Sequence, residues 1–266
     1  MTATDSAAPK AQSAPAVAAG AWLTCPAPRP AAAMRLLCIP YAGVGASVYR
    51  AWPRAMPATI EVRLAQLPGR EGRFREPAAV RLDPLVAGLT AACAPLLDKP
   101  LAIFGYSLGA LIGFELARAL RRGHGIEPAY LAVAARRAPH LPERFPPLHR
   151  LPDAELVAEL RRRYDGIPEA ILADPELLAL FLPILRADVA VMASYRYAPE
   201  PPLRAPIAAF GGRDDREVGR TDLEAWADQT TGAFDVRVFT GGHFFLQPEG
   251  SGVIAAVAAD LGALDV

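Results

Sequence analysis

Lysine is nearly missing from this chain: Lys10 and Lys99 are the lysines among 28 basic residues, and those 28 are balanced by 28 acidic ones. A formal net charge of zero leaves no general attraction to nucleic acid or to an anionic membrane surface. Neither is expected as a partner, and any charged ligand has to be met by a local patch. Cysteine is scarce as well. Cys25, Cys38 and Cys93 are odd in number, far apart and set in apolar or Ala/Pro-rich sequence, which suits neither a disulfide framework nor a metal site and fits a reducing cytoplasm. No residue cluster calls for a metal or a cofactor. No apolar run approaches the roughly 20 residues that cross a bilayer. The first 33 residues, rich in Ala, Pro and Ser, have neither the basic start nor the continuous apolar centre of a signal peptide, and read as a disordered tail.

What remains, residues 34–266, is long and apolar enough for one sizeable domain, since 52% of the chain is hydrophobic. Strand-like and helix-like segments alternate along it. Arg35 to Pro40, Ile60 to Leu67, Leu101 to Phe104 and Ala129 to Ala135 read as strands; Tyr49 to Met56, Leu82 to Leu97 and the stretch after Ser107 read as helices. Two more strands, Ala205 onward and Phe234 onward, precede a closing helix over Val253 to Leu261. Such alternation implies an α/β fold, a mostly parallel sheet with helices on both faces. The alternation is interrupted over about 140–200. There Leu151-Pro-Asp153 opens one helix, and Asp174-Pro175-Glu176 supplies an N-cap, a first-turn proline and a dipole-compatible acid for a second. Leu177, Leu178, Phe181, Leu182, Leu185, Val189 and Met192 share one face of that second helix. Placed between two strands, the insertion is expected over the C-terminal edge of the sheet, as a lid lining a pocket.

The chemistry is concentrated in Gly105-Tyr106-Ser107-Leu108-Gly109, where an apolar strand turns abruptly into an amphipathic helix. This is the pattern of a nucleophile elbow. Glycine two residues before and two after the serine permits a turn tight enough to push the Ser107 hydroxyl out of the sheet, while the helix N-terminus supplies free N–H groups, Leu108 first, for a developing oxyanion. An acid and then a histidine should follow in chain order, at strand ends. Ala205 to Asp215 runs into an acidic turn and Phe234 to His243 runs into a histidine. Gly212-Arg-Asp-Asp215-Arg-Glu-Val218 matches the G-x-x-D-x-x-V arrangement of similar hydrolases, which selects Asp215; Asp214 beside it is the alternative. His124, His140 and His149 lie in Arg- or Pro-rich connections and read as surface or turn residues.

A family resemblance is carried by several motifs together: Ile39-Pro-Tyr-Ala-Gly43 with Tyr49-Arg-Ala-Trp52, Gln66-Leu-Pro-Gly-Arg-Glu71, Phe104 to Ala110, Leu172 to Leu177 through Leu185-Arg-Ala-Asp188, Tyr195-Arg-Tyr197, and Gly241-Gly-His-Phe-Phe-Leu246. From about residue 34 onward the chain resembles the type II thioesterases that accompany polyketide synthases and nonribosomal peptide synthetases. It departs from their commonest pattern at Tyr41, usually histidine, and at Val44, usually glycine. The resemblance implies an α/β-hydrolase fold with a helical lid. It also implies removal of unwanted acyl groups from the phosphopantetheine arm of acyl- or peptidyl-carrier proteins, a Ser107, Asp215 and His243 triad, and an oxyanion hole formed by the N–H groups of Ala42 and Leu108. A monomer without cofactor is expected. A medium-chain fatty acyl thioesterase and a general carboxylesterase share much of this pattern, and a non-catalytic scaffold is disfavoured by the intact triad residues.

Overall fold

Alternate residues of the central strands enter two different core layers. In β2 (Met34–Ile39), Leu37 and Ile39 face one layer while Leu36 and Cys38 face the other; in β4 (Leu101–Tyr106), Ile103 faces the first and Phe104 the second. A strand buried on both faces has no polar side, which is why these segments read as continuous apolar runs. Each fully buried large side chain contributes about 1.5–3 kcal/mol, and Leu36, Leu37, Ile103 and Phe104 are all fully buried. In this computed structural model, residues 21–264 are described apart from 143, 145, 146, 165, 166, 168, 248 and 249.

Among the described residues the sheet has seven strands. With β1 (Leu23–Thr24), β3 (Ile60–Ala65), β5 (Tyr130–Ala134), β6 (Ile207–Gly212) and β7 (Phe234–Phe239), its order is β1-β3-β2-β4-β5-β6-β7. Every pairing is parallel except that of β1, which runs antiparallel along the outer edge of β3. Helices α2 (Leu82–Cys93) and α3 (Leu108–His124) cover one face; α1 (Trp52–Ala55) and α8 (Gly250–Gly262) cover the other. A short helix α7 (Arg220–Glu224) follows β6. This is the expected α/β layering.

The expected disordered tail, 1–33, has to be corrected over 21–33; its first 20 residues lie outside the described ones. Leu23 pairs with Ala65 and Thr24 with Leu64. Trp22 is 8% exposed, with the Arg73 guanidinium 4.1 Å above its ring, and a Cβ on Gly88 would stand 2.1 Å from it. Arg29 donates to the carbonyls of Pro57 and Ile60. One aromatic anchor and a free sheet edge thus order a stretch whose Ala/Pro composition suggests none.

Between β5 and β6 lie α4 (Asp153–Tyr164), α5 (Glu169–Leu172) and α6 (Pro175–Ser194). Asp174 caps α6 by accepting from the N–H groups of Glu176 and Leu177 at 2.9 and 3.2 Å, and Pro175 occupies its first turn, as the sequence signal predicts. Leu148, Leu156, Leu160, Ile167, Leu182, Leu185 and Val189 form a core separate from the two sheet layers. The expectation that no apolar stretch approaches membrane-spanning length needs correction here. Helix α6, 20 residues long with a mean hydropathy of 1.9, is long and apolar enough to cross a membrane by length and composition alone. In the folded chain it lies on the protein, with Arg186 and Asp188 engaged in ion pairs.

Candidate active site

The elbow follows from sterics. A Cβ on Gly105 would stand 2.2 Å from the Gly109 carbonyl oxygen, and one on Gly109 would stand 2.1 Å from the Ile39 carbonyl oxygen. Both obstacles are backbone, so neither position accepts a side chain without moving the sheet. Ser107 itself adopts φ 51° and ψ −108°, a conformation disfavoured for any residue with a Cβ. It is held there by its N–H, which donates to the Ala134 carbonyl of β5 at 2.8 Å, while its own carbonyl accepts from Ala110 at 3.1 Å.

The strand ends deliver the partners. His243 lies four residues beyond β7 and Asp215 three beyond β6. His243 Nε2 is 3.2 Å from Ser107 Oγ, and its Nδ1 is 2.8 Å from Asp215 Oδ2. The second Asp215 oxygen accepts from the N–H groups of Glu217 and Val218 at 2.9 and 3.2 Å. Its side chain is fully buried. These contacts fix the carboxylate and, through it, the imidazole tautomer that leaves Nε2 free to accept a proton. Asp214, the alternative, is exposed and is not paired with His243 in these contacts; its N–H donates to the Gly241 carbonyl at 2.9 Å. Asp215 is the one brought to the histidine.

Several contributors were not assigned a role from sequence. The Tyr106 hydroxyl donates to the His243 carbonyl, and its ring packs tilted on Tyr41 and Phe245 at 5.5 and 5.2 Å. Tyr164, from the end of α4, lies 4.7 Å from the His243 ring, and burial pushes its phenol up to about 12. Tyr41, where histidine is usual in similar sequences, is 6% exposed and packs 5.1 Å from Phe244. The motif positions offered a signal for Tyr106 and Tyr41; nothing in sequence placed Tyr164 at the imidazole.

These residues open on a cavity of ≈ 510 Å³, in which Ala42 and Ser107 meet Leu160, Ile167, Phe181 and Leu185. One wall therefore comes from the sheet body and the other from the helical insertion. Arg136, Arg163 and Arg196 border it. Leu108 is the first residue of α3, so its N–H belongs to the unsatisfied first turn and lies next to the nucleophile in sequence. Among the described residues no group of three or more His, Cys, Asp or Glu side chains is arranged to hold a metal ion.

A parallel sheet, a strained serine between strand and helix, and a helical insertion over the strand ends define an α/β-hydrolase. Within that class the chain belongs to the thioesterase domain family, which it matches over residues 34–261. Gramicidin S biosynthesis protein GrsT of Aneurinibacillus migulanus is 44% identical over 216 residues, covering 81% of this chain and 84% of that protein. The medium-chain S-acyl fatty acid synthase thioesterase of Rattus norvegicus is 32% identical over 231 residues, covering 84% and 86%. Among solved structures, the type II thioesterase BorB from the borrelidin biosynthetic cluster is similar at a TM-score of 0.82 and 36% identity, with 91% of this chain and 98% of that chain covered. Thioester hydrolysis is the chemistry of this family.

Proposed function

We propose that this chain is a stand-alone type II thioesterase of the cytoplasm. It hydrolyses acyl thioesters on the phosphopantetheine arm of acyl- or peptidyl-carrier proteins and so clears aberrant acyl groups from a polyketide or nonribosomal peptide assembly line. The observation that carries this reading is the continuous Ser107–His243–Asp215 hydrogen-bond chain at the mouth of an acyl-sized cavity. The relatives in gramicidin S and borrelidin biosynthesis give the setting.

Ser107 Oγ attacks the thioester carbonyl carbon as His243 Nε2 takes its proton, and Asp215 stabilises the imidazolium. The oxyanion is held by the N–H groups of Leu108 and Ala42; losing one such donor typically costs about 3 kcal/mol of transition-state stabilisation. Collapse breaks the C–S bond, and the pantetheine sulfur leaves with the proton from His243, giving an acyl-serine. Water, its proton taken by the same histidine, then attacks the ester carbonyl; the acyl C–Oγ bond breaks as His243 returns that proton to Ser107 Oγ, and the acid is released. The insertion acts as a lid that shapes the acyl site. The protein acts as a monomer, without cofactor.

The test is acid release from a carrier protein loaded with acetyl-phosphopantetheine, set beside acetyl-CoA and a nitrophenyl ester, for the wild type and Ser107→Ala. Preferential turnover of the loaded carrier, lost by about 10⁴-fold or more in the variant, is expected. Turnover of the nitrophenyl ester alone would make the protein a general esterase, and a marked preference for medium-chain over acetyl carriers would place it with fatty-acid termination.

A further inference from the structure

The loop after β2 is gripped by the insertion at one residue. Gly43, at φ +81°, donates its N–H to Asp188 Oδ2 at 2.7 Å, and the ring of Phe181 lies so close that a Cβ on Gly43 would stand 2.7 Å from Phe181 Cζ. Asp188 and Phe181 both belong to α6. The Asp188 carboxylate is in turn held in a two-pronged pair by Arg70, Nη1 to Oδ2 at 2.6 Å and Nη2 to Oδ1 at 2.8 Å, with side-chain exposures of 1% and 4%. Arg70 is fixed from its own side, since Nε donates to the Pro68 carbonyl at 3.2 Å and its carbonyl accepts from Gln66 Nε2 at 3.1 Å.

A charge pair this deeply buried is costly to desolvate and adds little net stability unless every lone pair is used. Here the third hydrogen bond goes to a backbone N–H one residue beyond Ala42. We propose that Asp188, braced by Arg70, is a positioning residue of the oxyanion hole: by holding the Gly43 N–H it fixes the Ala42–Gly43 peptide and so restrains the adjoining Tyr41–Ala42 peptide, whose N–H is to meet the developing negative charge. The inference rests on the reading of Ala42 as an oxyanion donor. It has a structural consequence, because the carboxylate that orders the loop is carried by the insertion. The 185–192 half of α6 must stay seated on the body during turnover, whatever its first turns do.

A donor that acts on the oxyanion acts in the transition state and leaves ground-state binding alone. In Asp188→Asn the side-chain oxygen still accepts from one donor, but the two-pronged charged pair is lost. Its kcat should fall about 10- to 100-fold with KM changed by less than about threefold. An alkyl trifluoromethyl ketone provides the second readout: Ser107 Oγ adds to its carbonyl, His243 takes the proton, and the hemiketal oxyanion occupies the hole. Its affinity should weaken in parallel with kcat/KM, while affinity for the product acid stays constant. Arg70→Lys keeps the charge but not the fork, and should show the same signature at smaller size; it carries the test should Asp188→Asn not fold. A rise in KM at unchanged kcat, or undiminished ketone affinity beside a reduced kcat, would overturn the proposal. Ser107→Ala separates the two levels. Ketone binding that survives that variant overturns the nucleophile reading itself, whereas binding lost there and unchanged in Asp188→Asn overturns only the positioning role.

Discussion

The sheet body and the helical insertion are built to different tolerances. In the body, residue after residue of β2, β4 and β5 is fully buried, and the elbow glycines sit within 2.1–2.2 Å of backbone oxygens from any added Cβ. In the insertion, one small cluster holds three helices, while Leu177 and Leu180 of α6 are 46% and 54% exposed. Reacting atoms must be placed to a fraction of an ångström. Ser107 and Asp215 follow β4 and β6, strands buried along their whole length, while His243 follows the partly exposed edge strand β7 and is held by Asp215 and Tyr106. An acyl chain needs only an apolar wall of suitable depth, and a loosely filled helical layer supplies it. Asp188 and Val191 of α6 join the two, as deeply buried as residues of the body.

That contrast breaks first at the elbow. Gly109→Ala should cost more than about 4 kcal/mol, since backbone must move to admit the methyl group, and the outcome is read as loss of soluble, cooperatively unfolding protein. Its control is Gly123→Ala, also in α3 but with nothing within 4 Å of the added Cβ; there a gain of up to about 1 kcal/mol is expected. Equal effects at the two sites would show that the body is no tighter at the elbow than at its surface. Next in size is the insertion wall. Replacing Phe181 and Leu185 together with alanine should cost about 2–3 kcal/mol and shift the preference between acetyl and octanoyl carriers about tenfold toward the longer chain. Unchanged chain-length selectivity in steady-state assays would remove the insertion from the specificity argument.

A smaller effect is expected where the body supports its own histidine. Tyr106→Phe keeps the ring contacts with Tyr41 and Phe245 but deletes the hydroxyl that donates to the His243 carbonyl. Stability should fall by about 1–2 kcal/mol and kcat by several-fold, measured by thermal unfolding and turnover on one preparation. A variant with wild-type values for both would mean that the strand end alone holds His243.

The same division governs what can be read from the chain. Parallel strands announce themselves as apolar runs, the elbow requires glycine at fixed offsets, and an N-cap aspartate followed by proline marks a helix start; all depend on neighbours in sequence. Choosing Asp215 over Asp214 needed one further motif. What escaped depends on distant partners. Arg70 and Asp188 are 118 positions apart, and no periodicity links them, although both fall inside family motifs. Trp22 and the β1 edge strand escaped because Ala/Pro composition outweighs a single aromatic anchor. Helix α6 passes for a membrane span because it is apolar beyond its core face: Leu182, Leu185 and Val189 pack in the insertion's cluster, while Leu177 and Leu180 on the same helix stay exposed.

The finest distinction between the regions concerns Glu217, two residues beyond Asp215 and close to Arg163 of the insertion. Burial raises its carboxyl above the ordinary 4.5, opposed by Arg163, reinforced by Asp215 and opposed again by His243. A raised folded-state value means that the folded chain holds this proton more tightly than the unfolded chain does. Its contribution favours folding fully below the ordinary carboxylate value and is lost as pH rises through the raised one. Glu217→Gln removes that dependence. The melting temperature of the variant relative to wild type should therefore increase between about pH 4 and pH 7, by a degree or two at most. The direction is diagnostic: a relative gain on raising the pH assigns the cost to the buried charge. A relative loss would mean that Arg163 dominates, making the carboxylate an electrostatic tie between insertion and body beside the one at Asp188.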